Sequence, residues 1–461
     1  MSDPTFARRP STALFTDHYE LTMLQAALHS GAAHRRSVFE VFARRLPNGR
    51  RYGVVAGTGR LLEGIADFRF DPDQLAFLES TRVVNAQTLD YLADYRFTGS
   101  VRGYAEGEMY FPNSPILTVE GTFAEACLLE TYVLSVLNYD SAIASAASRM
   151  TLAAGDRPCL EMGARRIQED AAVAAARAAV IAGFAGTSNL EAGRRWGLTT
   201  IGTAAHSFTL LHDDEEQAFA AQLESLGLDT TLLVDTYDVE AAVRTAIGIA
   251  GDRLGAVRLD SGDLAVQARE VRDLLDSLGN RDTRITVTSD LDEFAIAGLA
   301  AAPVDSYGVG TQLVIGSGAP TASLVYKLVA RQDEDGRWVN VAKASKDKAS
   351  VGGDKWGLRR RDADGIATAE VVRIGGRPEN DGDDRPLTRD FIVDGELAPG
   401  WTGPDGVARA ARHHAAARAE LPRAVQSLSR GEPVIPTVVE SPGAPGSAGA
   451  PGSAGAGGAG S

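Results

Sequence analysis

Val257-Arg258-Leu259-Asp260-Ser261-Gly262-Asp263 runs an apolar strand into a polar, glycine-bearing corner, and this short grammar decides the fold. It recurs along the chain. Leu160-Glu161-Met162-Gly163-Ala164-Arg165, Gly186-Thr187-Ser188-Asn189, Gly202-Thr203-Ala204-Ala205-His206, Leu232-Leu233-Val234-Asp235, Val287-Thr288-Ser289-Asp290 and Tyr307-Gly308-Val309-Gly310-Thr311 each end an apolar stretch in the same way before a helix. Repeated strand–helix units of this length make a parallel sheet, and so many in succession favour closure into a barrel. An open doubly wound sheet would also gather the corners at its strand C-termini. The barrel is the expected form, giving an α/β fold class with all polar corners on one face.

Working outward, residues 1–123 read as a mixed α/β domain. Thr16-Asp17-His18-Tyr19 opens an amphipathic helix running to about Ser30, with Thr16 or Asp17 as its cap. Period-two alternation predicts strands at Ser37 to Phe42, Val101 to Tyr104, Glu108 to Phe111 and Ile116 to Gly121. A helix over Ala124 to Leu137 leads into the barrel-like catalytic domain, residues 124–330. Residues 331–440 return to short strands and a terminal helix, Val407 to Leu428, and are expected to complete the first domain. The last stretch, 441–461, is glycine, alanine, serine and proline, a composition that cannot bury a core.

The 461 residues are 44% hydrophobic and 23% charged, ordinary for a globular protein. A formal charge of −15 argues against a nucleic-acid surface, which needs a basic stripe. Cys127 and Cys159 provide neither a disulfide framework nor a zinc spacing, so a reducing, cytoplasmic setting is expected. No apolar signal region follows Met1. The alanine-rich run Ala171 to Gly186 contains Arg177 and reads as a packed helix rather than a membrane span. Arginine carries nearly all the positive charge, and every lysine lies between Lys327 and Lys355. Of the histidines, His18, His29, His34, His212, His413 and His414 lie in polar surroundings and read as surface groups; His206 stands apart at a corner of small residues.

The corners define a chemistry. Arg258 and Asp260 are two apart on a strand and point to the same side, so a cation and a carboxylate stand together at the mouth. The alternative for such a pair is an ion pair that only fixes the barrel. Asp235 aims a second carboxylate at the same mouth, suited to a metal, a proton or ribose hydroxyls. Gly308-Val309-Gly310-Thr311 presents backbone N–H groups that cradle phosphate, Ser289-Asp290 supplies a neighbouring half, and Arg165 offers a bidentate fork. These parts specify a sugar phosphate with its reactive carbon near His206. An isomerase or aldolase would fit as well, but would ordinarily use a lysine or glutamate base in the barrel, and no lysine precedes Lys327.

In this ordered set the chain resembles the nicotinate phosphoribosyltransferases, from about Thr16 to about Arg360. The motifs that carry the resemblance are Thr16-Asp17-His18-Tyr19, Gly163-Ala164-Arg165-Arg166, Gly186-Thr187-Ser188-Asn189, Gly202 to Ser207, Arg258 to Asp263 and Gly308 to Thr311. The resemblance implies the type II phosphoribosyltransferase fold, an irregular barrel plus an α/β domain built from both chain ends. It also implies a homodimer with sites at the interface, and a reaction joining nicotinate to phosphoribosyl pyrophosphate, coupled to ATP hydrolysis with Mg2+. By position His206 matches the histidine that ATP phosphorylates, a role suited to a neutral imidazole. Thr203 and Arg258 match residues that hold nicotinate. Tyr19 matches the aromatic that stacks on the pyridine from the partner subunit, and Thr311 a contact of the sugar phosphate. Arg165, Asp235, Asp260, Ser289 and Gly310 match the rest of the sugar-phosphate shell.

Ser188 occupies a corner where the similar nicotinamide phosphoribosyltransferases place an aspartate, so serine favours a carboxylate-bearing substrate; its alternative reading is a helix cap. One departure is local: the family runs lysine, serine, lysine and then proline-glycine-x-lysine, whereas here Lys343, Ser345 and Lys348 are followed by Gly352-Gly353-Asp354-Lys355. Other functions compatible with the residues are a nicotinamide-type or quinolinate-type transferase and a non-catalytic regulator that binds a pyridine nucleotide. The second would need a more basic pocket. The last would not need His206, Asp235 and Asp260 together.

Overall fold

The computed structural model describes residues 11–343, 351–378 and 384–440. Ser345, Lys348 and the 441–461 tail lie outside the described residues. The parallel sheet has six strands in the order Gly186–Thr187, Cys159–Glu161, Ser306–Val309, Arg284–Ser289, Ala256–Leu259 and Thr231–Leu233. The first strand in the sequence, Cys159–Glu161, pairs with both the second and the last, which is the closure a barrel makes. Closure is nevertheless incomplete. The apolar stretch before the Gly202 corner, Leu198 to Ile201, which that corner's pattern makes a strand, forms one bridge, Thr187 to Thr200, before breaking into Gly202, Thr203, Ala204 and Ala205. No ladder joins Gly186–Thr187 to Thr231–Leu233. The sheet is a curled half-barrel whose opening coincides with the His206 corner.

Both chain ends build the antiparallel layer. Its seven strands run Trp338–Asn340, Leu324–Gln332, Arg36–Ala43, Leu117–Thr122, Ser100–Tyr104, Thr388–Val393 and Glu396–Leu397. A further four-stranded sheet sets Lys355–Arg361 between Asp384–Pro386 and Ala367–Ile374, with Thr437–Glu440 outside the latter. Lys355 is buried, giving its Nζ to both Glu40 oxygens at 3.0 Å, and so ties this sheet to the other.

The helix expected over Ala124 to Leu137 is two helices. Phe123–Cys127 opens on a capping box between Thr122 and Glu125, and Glu130–Ala154 follows after a break at Leu128-Leu129. At about 1.5 Å per residue the longer helix reaches across both cores. Val133, Val136 and Leu137 pack into the antiparallel layer, whereas Ile143, Ala147 and Met150 pack under the parallel sheet. Its second half is rich in Ser and Ala because a backbone lies directly against it. Ser145 and Ser141 accept the Val54 and Ala56 N–H groups at 2.9 and 3.1 Å.

The alanine-rich run forms Glu169–Ile181, with Arg177 fully buried and forked onto Glu106 at 2.5 and 2.7 Å. Pairing with hydrogen bonds makes such burial tolerable. Three histidines differ from expectation, the first being His212, half-buried with its Nδ1 2.9 Å from the Phe208 carbonyl. His414 is buried, its Nε2 2.9 Å from Ser148 Oγ, and burial holds its pKa down to about 3. His413 is half-buried, 2.8 Å from Glu108. The terminal helix spans Gly403–Ala419 rather than Val407 to Leu428, because Pro422 has no N–H and restricts Leu421. Among the described residues no helix is long and apolar enough to cross a membrane.

Candidate active site

The strand ends are cross-tied by their own carboxylates. Asp235, just past the Thr231–Leu233 strand, accepts the Asp260 N–H at 2.8 Å and the Ser261 hydroxyl at 2.9 Å through Oδ2. Asp260, past the next strand, accepts the Thr288 hydroxyl through Oδ1. The remaining oxygens of both turn toward His206. Its Nε2 lies 3.7 Å from Asp260 Oδ2 and 4.0 Å from Asp235 Oδ1, and its Nδ1 lies 3.1 Å from the Thr236 hydroxyl. Asp235 Oδ1 is buried with no hydrogen-bond partner among the described residues. Such an atom costs free energy unless a proton, cation or ligand meets it.

Arg258 and Asp260 share a side of their strand, as period two requires. Arg258 donates to the Thr203 hydroxyl at 2.6 Å, joining the Ala256–Leu259 strand to the opening of the half-barrel. Burial lowers its pKa against the opposing pull of Asp260 and Asp235, and nearby Arg165 adds to the lowering. Its Nε is buried without a hydrogen-bond partner among the described residues. An arginine held this way is a cation awaiting an anion.

A cavity of about 230 Å³ opens beside this pair. Its walls are Met162, Arg165, Arg166, Arg258, Asp260, Thr288, Ser289, Asp290, Gly308, Gly310 and Thr311. Close approach fixes Gly308 in its wall and Gly163 next to Met162. A Cβ on Gly308 would stand 2.4 Å from Thr288 Cγ2 and 2.8 Å from Met162 Sδ, and one on Gly163 would stand 2.3 Å from Val314 Cγ1. Gly308→Ala is expected to destabilise the protein by about 1–3 kcal/mol through overpacking. Urea denaturation reads this as a lower midpoint at unchanged m; an unchanged midpoint contradicts it.

Of the sequence-derived candidates, His206, Asp235, Asp260, Thr203 and Arg258 form one constellation, and Arg165, Ser289, Gly310 and Thr311 line the adjoining cavity. Ser188 is exposed after the Gly186–Thr187 strand, with its N–H on the Glu161 carbonyl at 2.8 Å. It is not a helix cap, since Asn189 caps Leu190–Trp196. Tyr19 is not brought to this cavity. It sits at the start of His18–Ser30, beside Glu130 and Thr131, with burial and then Glu130 raising its pKa to about 12. Asp17 is the cap position of that helix but its side chain does not cap; Thr16 bonds Glu20 instead.

Several residues went unassigned by the sequence reading. Glu161 is fully buried and braces two corners, accepting the Thr187 hydroxyl and the Gly163 N–H. Thr236 touches His206, Thr288 holds Asp260, and Arg166 lines the cavity. Each stands inside or next to a quoted corner, so the corner itself was the available signal. Lys355 belongs to the Glu40 pair rather than to this cavity.

Residues 14–138 match the model of the nicotinate phosphoribosyltransferase (NAPRTase) N-terminal domain. The chain is 53% identical over 454 residues to the nicotinate phosphoribosyltransferase pncB1 of Mycobacterium tuberculosis, covering 95% of this chain and 99% of that protein. It is 39% identical over 350 residues to the nicotinate phosphoribosyltransferase of Bacillus subtilis, covering 74% of this chain and 71% of that protein. The crystal structure of human nicotinic acid phosphoribosyltransferase shares the fold, with a TM-score of 0.77 at 24% identity over 92% of this chain and 97% of that one. The half-barrel with an α/β layer from both chain ends is thus the type II phosphoribosyltransferase fold, and the chain belongs to the nicotinate phosphoribosyltransferase family.

Proposed function

We propose that the protein joins nicotinate to phosphoribosyl pyrophosphate, giving nicotinate mononucleotide and pyrophosphate, and that ATP hydrolysis through a phosphohistidine at His206 is coupled to this transfer. One observation carries the reading: His206 faces Asp235 and Asp260 while the half-buried cation Arg258, bonded to Thr203, lines the adjoining cavity together with Asp260 and Arg165. Arg258 and Thr203 take the nicotinate carboxylate. Arg165, Ser289, Gly310 and Thr311 take the sugar phosphate.

The pyridine nitrogen attacks C1′ with its lone pair, and the C1′–oxygen bond breaks with its electrons leaving on pyrophosphate. The ribose is oxocarbenium-like between these events, and the carboxylates of Asp235 and Asp260 stabilise that charge. Mg2+ would neutralise the leaving group. Its donor set fits, since this ion ordinarily takes one or two carboxylates plus substrate phosphates and Asp235 Oδ1 is an orphaned hard oxygen. In the ATP step an imidazole lone pair attacks the γ-phosphorus and ADP departs. The two carboxylates on the Nε2 side favour a proton there, so the Nδ1 side, near Thr236, is the nucleophilic one. Tyr19 closes the pyridine from a second subunit of a homodimer.

The test mixes the protein with magnesium, phosphoribosyl pyrophosphate and nicotinate, nicotinamide or quinolinate, with and without ATP, and measures mononucleotide and ADP. Product from nicotinate with ADP formed alongside is expected. Product from quinolinate, or no product from any acid, overturns the reading. Arg258→Gln is expected to raise the KM for nicotinate roughly 10- to 150-fold, the loss of a charge-assisted bond of about 1.5–3 kcal/mol. Steady-state kinetics with both pyridines check it, because the nicotinamide KM should barely move.

A further inference from the structure

A second cavity, of about 180 Å³, lies between the start of the Thr58–Ala66 helix, the Thr388–Val393 strand and the Gly403–Ala419 helix. It shares no residue with the cavity at the strand ends. Arg389, Arg409, His413, Thr58 and Trp401 face it, together with Glu106. In a chain with 61 acidic and 46 basic residues, arginines ordinarily find carboxylates. These two do not, among the described residues.

Three neighbouring carboxylates are already engaged. Glu106 is forked by Arg177 and accepts the Gly57 and Gly59 N–H groups. Glu108 takes Arg385 and His413, and Asp390 pairs with Arg377. Arg389 has one hydrogen bond, to the carbonyl of its own neighbour Thr388 at 3.0 Å, and burial with Arg385 and Arg377 close by lowers its pKa. Arg409 lies over the Trp401 ring at 4.8 Å. His413 binds Glu108 through Nε2, which leaves Nδ1 for another partner.

We infer that this second cavity is an oxyanion site for a phosphate group, held by Arg389 and Arg409 with His413 and Thr58 as further hydrogen-bonding groups. Two guanidinium forks match a tetrahedral dianion better than a single carboxylate, which one fork satisfies. The size sets the rest of the ligand. At about 180 Å³ the cavity has room for a free phosphate or a small phosphate ester. The Gly403–Ala419 helix on its wall packs against Glu169–Ile181 and Leu190–Trp196, the helices that follow the Gly163 and Gly186 corners.

Trp401 reports occupancy, because an anion draws Arg409 off its ring. Inorganic phosphate titrated into the full chain at low ionic strength should change tryptophan fluorescence in a saturable phase that Trp401→Phe removes. Arg389→Gln and Arg409→Gln should each weaken this phase at least tenfold while leaving the thermal midpoint within a few degrees. Arg165→Ala, at the other cavity, should leave it unchanged. Ribose 5-phosphate in a parallel titration separates the sources: a matching phase assigns the site to phosphate esters, and its absence assigns it to the free ion. A phosphate phase indifferent to both arginine substitutions, or lost in Arg165→Ala alone, overturns the inference. So does the lack of any phase.

Discussion

Replacing His206 with alanine is expected to abolish phosphate transfer from ATP to the protein while leaving a slow, uncoupled formation of nicotinate mononucleotide. The imidazole is the one nitrogen group of the constellation with a lone pair to give. Asp235 and Asp260 are tied to backbone and hydroxyl donors on neighbouring strands, and Arg258 has no lone pair to give. Alanine leaves those ties in place, so substrates still meet at the strand ends. His206 is 40% exposed and begins a short helix, His206–Leu211, without capping it, so its loss should change stability by no more than about 0.5 kcal/mol. Labelled ATP gives the measurement: incorporation into protein should fall to background, with an unchanged thermal midpoint. Unchanged incorporation would falsify the assignment of the phosphohistidine. Asp260→Asn then separates roles, since it keeps the nucleophile but removes a charge facing Nε2, and should slow both half-reactions together.

How far the sequence carried the reading depends on the period of each signal. Arg258 and Asp260 could be placed together because two residues on a strand share a face, and the structure puts both at the mouth. The barrel was legible from repetition, but its gap was not. Leu198 to Ile201 is apolar enough to be read as a strand, yet only Thr200 bridges to Thr187 before four small residues end it. The second half of Glu130–Ala154 was invisible for the opposite reason. Its apolar stripe, Ile143, Ala147 and Met150, is faint among Ser and Ala residues that the close approach of the Gly53–Val54 backbone requires. His414 read as a surface residue because its neighbours in sequence are polar; its neighbour in space is Ser148, across a helix interface. Thr236 and Thr288 escaped because a hydroxyl that positions a functional group looks like any threonine until the strands bring it there.

Ser188→Asp should shift the enzyme's preference from the pyridine acid toward the amide by up to about a thousandfold. Two carboxylates about 4 Å apart at an effective dielectric near 20 repel by on the order of 4 kcal/mol, close to three decades in kcat/KM. Nicotinamide is neutral at that position and loses nothing to the charge. The site isolates the effect well. Ser188 is exposed, Asn189 supplies the helix cap, and the Ser188 N–H bond to the Glu161 carbonyl is made by the backbone and survives substitution. Ser188→Asn, similar in size and uncharged, is the control and should leave both substrates nearly unaffected. The magnitude also measures distance. At 8 Å in a water-like dielectric the same repulsion is about 0.5 kcal/mol, little more than twofold, and it fades with salt. A large, salt-resistant loss confined to nicotinate therefore places the carboxylate against this corner. Equal losses for nicotinate and nicotinamide, or an equal loss in Ser188→Asn, would mean that Ser188 acts through the shape of the corner and not through its lack of charge.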